Sequence, residues 1–223
     1  RQKRTEEAIE LLETAWGHLS VLDILGTGVG ILEANGESPS EMADERLVEM
    51  CAKARRANPE SFMILILQGA AMELIGRSDE AVAIYRELLA TPDLDPVVAS
   101  RTKNNLAAIL IGRKEIDEAR QLIDSAVSEL GPHPTLLDTR ALVWLARGDT
   151  SRAIEDLKES LLAPSATTHL HMALAAYDAR MTTESRAALM NAEKNGLRTG
   201  RLTKADRERL ATLDKALAEQ VDK

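Results

Sequence analysis

The stretch ILGTGVGILE, residues 24 to 33, places Gly26, Gly28 and Gly30 at alternate positions directly after an apolar run. Glycines so spaced are the raw material of a phosphate loop, in which backbone N–H groups cradle an anion. A dinucleotide fingerprint requires G-x-G-x-x-G between a strand and a helix, and Ile31 stands where its third glycine belongs. A Walker loop needs G-K-[ST], and a kinase-like loop needs V-A-I-K, H-R-D and D-F-G downstream; none of these occurs. The residues favour helix packing over nucleotide binding. In a helix, each glycine costs about 1 kcal/mol relative to alanine. This segment should therefore be the softest of the first helices, with Gly28 and Gly30 leaving room for a close approach by another segment.

The remaining residues able to do chemistry do not converge. His169 and His171 form an H-x-H, but side chains two apart on a helix point about 200° away from each other and cannot share one ion. His18 and His133 lie elsewhere. Cys51 falls where neighbouring segments carry core apolar residues, which suits an inert buried thiol better than a nucleophile. Lys53, Arg55 and Arg56 end a helix, where positive charge complements the macrodipole. Asp and Glu collect at turns and on polar helix faces. No catalytic residue, cofactor site or metal site is expected.

The chain of 223 residues has 44% hydrophobic but only 2% aromatic side chains, a balance that favours helices over strands. Its net charge of -8 has the wrong sign for neutralising phosphates, which argues against nucleic acid as a partner. The longest apolar run, Phe62 to Leu67, is far short of the roughly 20 residues that span a bilayer, so no membrane insertion is expected. A single cysteine rules out an internal disulfide and fits the cytoplasm better than secretion. The opening RQKRTEEAIELL lacks Met and is already in helical register, which reads as a fragment of a larger protein.

The elements that must position these residues repeat. Gly69, Ala107, Ala141 and Ala173 are each followed twelve residues later by Ala81, Ala119, Ala153 and Ser185, and four residues after that by Tyr85, Ile123, Leu157 and Leu189. The unit starts recur at 38, 34 and 32 residues, the spacing of a helix-turn-helix array. Two helices joined by a short turn approach closely only where both carry small side chains, hence one small residue midway along the first helix and one near the start of the second. IGRSDEA at 75–81, GRKEIDEA at 112–119 and RGDTSRA at 147–153 supply glycine and capping residues for the turns. Prolines 59, 92, 132, 134 and 164 fall between units.

At these residues the chain resembles the tetratricopeptide repeat family, with its W-x2-L-G-x2-Y, A-x3-F and P pattern. Leu65, Gly69, Met72, Ala81, Tyr85 and Pro92 carry it in one unit, Leu106, Ala107, Leu110, Ala119 and Ile123 in the next. Leu137, Ala141, Trp144, Ala153, Leu157 and Pro164 follow, then Met172, Ala173, Ser185 and Leu189. Aligning VLDILGTGVGILE with LLDTRALVWLARG at 136–148 puts Gly26 opposite Ala141, and 21 residues rather than 12 separate Gly26 from Leu47. The surplus is an inserted loop at 35–41. Ser38-Pro39-Ser40-Glu41 then reads as a helix start with cap, proline and capping-box acid.

The resemblance implies an all-α, right-handed superhelical solenoid of about twelve helices in one array. Residues 1–18 would be the second helix of a truncated repeat. Repeats would follow at 19–59, 60–95, 96–132, 133–165 and 166–197, closed by a C-terminal capping helix at 201–221 built on Leu202, Leu210, Leu213 and Leu217. The resemblance also implies a concave groove lined by the first helices, with Asp23, Thr27, Met63, Ile66, Arg101, Asn104, Asp138, Leu142, Leu145, Leu170, Leu174 and Tyr177 facing a partner. This stripe is more apolar than the clamp with which some members grip an acidic chaperone tail, and MILILQGAA, RTKNNLAA and TLLDTRALV do not reproduce that clamp. The expected function is a non-catalytic scaffold that binds a peptide or helix of a partner protein. The alternative is self-association, for instance as a homodimer, with the groove buried. Six consecutive apolar residues at 62–67 also require cover on every side, from the 35–41 loop or from another chain.

Overall fold

The computed structural model describes residues 2–34, 40–198 and 202–219. Among the described residues there are twelve helices, paired in sequence as helix-turn-helix units. They form two compact units, Arg1–Val98 with Arg198–Thr203 and Ala99–Leu197 with Lys204–Lys223.

The first unit holds α1 (Gln2–Thr14), α2 (Val21–Ala34), α3 (Glu41–Ala57), α4 (Phe62–Leu74) and α5 (Ser78–Leu89). Helix α3 starts at Ser40, whose Oγ accepts from the Ala43 N–H at 3.3 Å and donates to Glu6 Oε1 at 2.6 Å. The cap is thus two residues later than the SPSE motif suggests. A hydroxyl at 40 serves both the orphan amides of α3 and a carboxylate on α1. Residues 35–39 of the inserted loop lie outside the described residues. The apolar helix α4 is packed by α2, α3 and α5, and none of residues 62–67 is exposed, so three helices of its own unit supply cover.

The α2 glycines differ from one another. A Cβ on Gly28 would sit 2.6 Å from Leu47 Cδ1, whereas one on Gly26 or Gly30 would meet nothing within 4 Å. The close approach between α2 and α3 is therefore made at Gly28, not at Gly26 as the alignment with Ala141 suggests. The 21-residue spacing has shifted the register of that pair.

The second unit holds α6 (Pro96–Gly112), α7 (Ile116–Leu130), α8 (Pro134–Ala146), α9 (Thr150–Ser160), α10 (Ala166–Asp178), α11 (Thr182–Lys194) and α12 (Lys204–Ala218). Ala107, Ala119, Ala141, Ala153 and Ala173 are fully buried, as the repeat spacing requires. Ser185 takes the place of an alanine because its Oγ donates to the Ala173 carbonyl at 2.7 Å, which satisfies the buried hydroxyl. Across α8 and α9, Arg140 forks onto Asp156 at 2.8 and 2.6 Å and Trp144 Nε1 donates to the same carboxylate at 3.0 Å. Arg120 and Arg152 lie over the Trp144 ring, 5.4 and 4.9 Å from its centroid.

One turn recurs in four pairs across the two units. Gly76, Lys114, Gly148 and Arg180 all adopt positive φ, between 64 and 83°, and the N–H of the following residue reaches back to Met72, Leu110, Trp144 and Ala176 O at 2.8 to 2.9 Å. This Schellman geometry turns each first helix into its second. Gly112, read from the sequence as part of such a turn, instead ends α6, and Lys114 takes the left-handed position.

Two outcomes are expected in urea denaturation. Lys114→Gly and Arg180→Gly each raise stability by about 1 kcal/mol, because a Cβ is unfavourable at positive φ. Gly30→Ala raises it by about 1 kcal/mol, and Gly28→Ala gives a smaller gain or a loss because Leu47 must yield.

Candidate protein-binding surface

The first-helix residues expected to meet a partner are not equally accessible. In the first unit Asp23 and Thr27 on α2 are exposed, Met63 on α4 is half-buried, and Ile66 is buried in the core. In the second unit Arg101 is exposed and Asn104 half-buried, its Nδ2 donating to Asn105 Oδ1 at 3.3 Å. Asp138, Leu145, Leu174 and Tyr177 are half-buried, while Leu142 and Leu170 are buried. Ile66, Leu142 and Leu170 are thus spent on the chain's own packing. The residues open to solvent are the polar ones and the edges of the apolar ones.

Asp138 has a specific internal duty. Its Oδ2 lies 2.9 Å from His171 Nδ1 on α10, and His171 Nε2 lies 3.2 Å from Asp206 Oδ1 on α12. Arg209 Nη1 donates to that same Asp206 oxygen at 2.6 Å. Burial disfavours the imidazolium, yet the two flanking carboxylates outweigh it and push the His171 pKa up to about 9. The ring is therefore protonated at neutral pH and donates from both nitrogens. Sequence spacing correctly separates His169 from His171 but gives no sign of this bridge, because its three members come from three helices.

The bridge belongs to a longer contact path. Helix α12 begins against the far end of α6, where a Cβ on Gly112 would sit 3.3 Å from Ala205 Cβ. It passes α10 at Asp206 and is linked through His171 to α8. It ends at α11, where Arg186 Nη2 donates to the Leu217 carbonyl at 2.7 Å. Leu210, Leu213 and Leu217 are buried along it, while Leu202 is half-buried. The helix thus closes the α10–α11 pair and also touches the end of α6, with His171 relaying it to α8.

The other reactive groups are quiet. Cys51 is fully buried, and burial pushes its thiol up to about 12, far from a nucleophilic thiolate. Arg55 pairs with Glu87, and Lys53 lies 4.3 Å above the Trp16 ring. A cavity of about 460 Å³ beside them is lined by Glu13, Trp16, Glu49, Met50, Lys53 and Arg56, with acids and bases in equal number. Among the described residues no three His, Cys, Asp or Glu side chains are arranged to hold a metal, and no helix is long and apolar enough to cross a membrane.

No protein-family model matches the sequence, and no curated protein sequence does. Solved structures do match. A tetratricopeptide repeat protein from Parabacteroides merdae ATCC 43184 is 17% identical with a TM-score of 0.66, over 96% of this chain and 79% of that one. The chain has the tetratricopeptide repeat fold. A MamA structure labelled AMB-1 aligns with a TM-score of 0.51 and 14% identity, over 79% of this chain and 97% of its own. A further crystal structure of MamA gives 0.50 and 15%, over 69% and 88%. At these identities the tetratricopeptide likeness concerns the fold alone.

The buried bridge sets a pH limit on stability. An unfolded chain would release the His171 proton near 6.5 and the folded one near 9, so the contribution is complete below about pH 6.5 and lost as pH rises through 9. Thermal melts from pH 6 to 10.5 should show that loss in the wild type and not in His171→Leu. By urea denaturation at pH 7, the variant should be about 3 kcal/mol less stable, since it leaves the largely buried Asp138 without its cation and Asp206 with Arg209 alone.

Proposed function

We propose that this chain is a non-catalytic protein-binding scaffold that receives a peptide or helix of a partner protein on the faces of its first helices. The observation that carries the reading is the division of labour within the repeat. Small residues hold each helix pair together from one side of the first helix, while Asp23, Thr27, Arg101 and the half-buried Asn104, Leu145, Leu174 and Tyr177 remain accessible on it. An apolar floor with polar edges suits a helix or extended segment. The buried His171 and Asp156 serve internal bonds and the Cys51 thiol is buried, which supports recognition as the chemistry of the surface.

A second reading is self-association. Leu11, Leu19 and Met42 in the first unit are 68, 57 and 51% exposed, apolar surface that a second copy would cover.

Affinity capture from native lysate separates the two. The informative substitutions are Thr27→Arg and Arg101→Glu, because both positions are exposed and leave the fold intact; Ile66 and Leu142 are core residues whose change would unfold the chain. A protein retained by the wild type and lost from either variant supports the scaffold. Recovery of only the chain itself, together with twice the chain's mass by sedimentation at all concentrations, overturns it in favour of self-association.

A further inference from the structure

Helix α12 has the contacts of an occupant as well as those of a cap. A helix that only closed the final pair would touch α10 and α11. This one also reaches Gly112 at the end of α6 and, through His171, Asp138 on α8. It therefore runs from the end of α6 past α10 to α11, and covers part of the first-helix side of the second unit around His171. Leu170 and Leu142, two of the apolar residues expected on that face, are 0 and 6% exposed. The face is furnished for a helix of definite character. The buried imidazole meets an acid in the first turn of α12, and leucines four, seven and eleven residues later, at 210, 213 and 217, are buried where the helix packs.

We propose that α12 is an internal stand-in for the partner: the first-helix face of the second unit binds an amphipathic helix with an Asp or Glu in its first turn and leucines at +4, +7 and +11, and α12 must leave for that helix to enter. This inference rests on the protein-binding reading of the same face and adds the partner's chemistry and the regulation. The carboxylate supplies the second acceptor that His171 requires, and the leucines replace the apolar cover that the departing helix removes. A partner with a basic first turn would place like charge against His171 and be refused.

The test uses the whole 223-residue chain and a fluorescein-labelled peptide of residues 204–218. Polarisation titrations compare the wild type with Leu210→Asp/Leu213→Asp, in which α12 is released. Hydrogen exchange checks that amides 204–218 open while α8 and α10 stay protected. The released chain should bind the peptide about ten-fold or more tightly than the wild type, the factor expected if α12 fills the face about 90% of the time. A peptide carrying Asp206→Lys should lose most of that binding. If the leucine pair disturbs α8 or α10, Asp206→Lys in the chain releases the same helix by repulsion from His171 and gives the same comparison. Equal binding to occupied and released chains, or no binding to a released one, overturns the inference.

A second arm separates its failure from that of the scaffold reading. Gly112→Cys/Ala205→Cys places two Cβ atoms within reach of a disulfide that pins α12 in place. A partner captured equally by the oxidised and reduced chains overturns the stand-in but keeps the scaffold. A partner lost on oxidation and regained on reduction supports both. If neither form captures a partner, the scaffold reading fails, and the peptide titration alone decides whether the face accepts a helix.

Discussion

A Cβ placed on Gly69 would lie 2.6 Å from Tyr85 Cζ, a contact that no side chain could occupy without displacing the ring. That demand for empty space where two helix axes come together organises each repeat. It allows a bulky residue on the second helix to reach the backbone of the first, and it recurs at Gly28 against Leu47. Where alanine serves instead, at 107, 141 and 173, it is fully buried, and Ala141 packs in one cluster with Leu157 and Ala153 of the second helix. Close packing of this kind uses one side of the first helix, and what remains is available to other segments.

The same constraint explains where polar groups can be buried. Ser185 is tolerated at a small-residue position because a carbonyl of the facing helix lies within reach of its hydroxyl. Asp156 is tolerated because Arg140 and Trp144, one turn apart on α8, both donate to it. His171 is tolerated because carboxylates from two further helices flank it. Each of these three side chains is matched by donors or acceptors on a neighbouring helix, which offsets its desolvation cost. These ties orient the helices more specifically than alanine contacts can, since a hydrogen bond fixes both distance and direction.

Two further features follow from backbone geometry. The four helix-to-helix turns share one left-handed residue and one backward hydrogen bond, whether that residue is glycine or, at 114 and 180, a long basic side chain. Lysine and arginine there accept strain that glycine avoids, so the turn is imposed by the packing of the helices it joins. This is why reading the turns by their glycines succeeds at Gly76 and Gly148 and misplaces Gly112.

The repeat, its all-helical character and the sequential pairing of twelve helices were legible in the sequence, because they depend on small residues at fixed spacings within some 20 residues of one another. So was the burial of Cys51, which depends on its place in an amphipathic pattern. The register of the first pair was not legible, since an insertion breaks the spacing that reveals it, and Gly28 rather than Gly26 makes the contact. Nor was the division of the partner-facing residues into buried and open ones, with Ile66, Leu142 and Leu170 consumed internally. Residues 138, 171 and 206 lie about a repeat apart from each other, and no local pattern links them. Only the tertiary structure could decide that they meet, because a buried ion bridge is set by where three helix axes come to rest rather than by the residue types along any one of them.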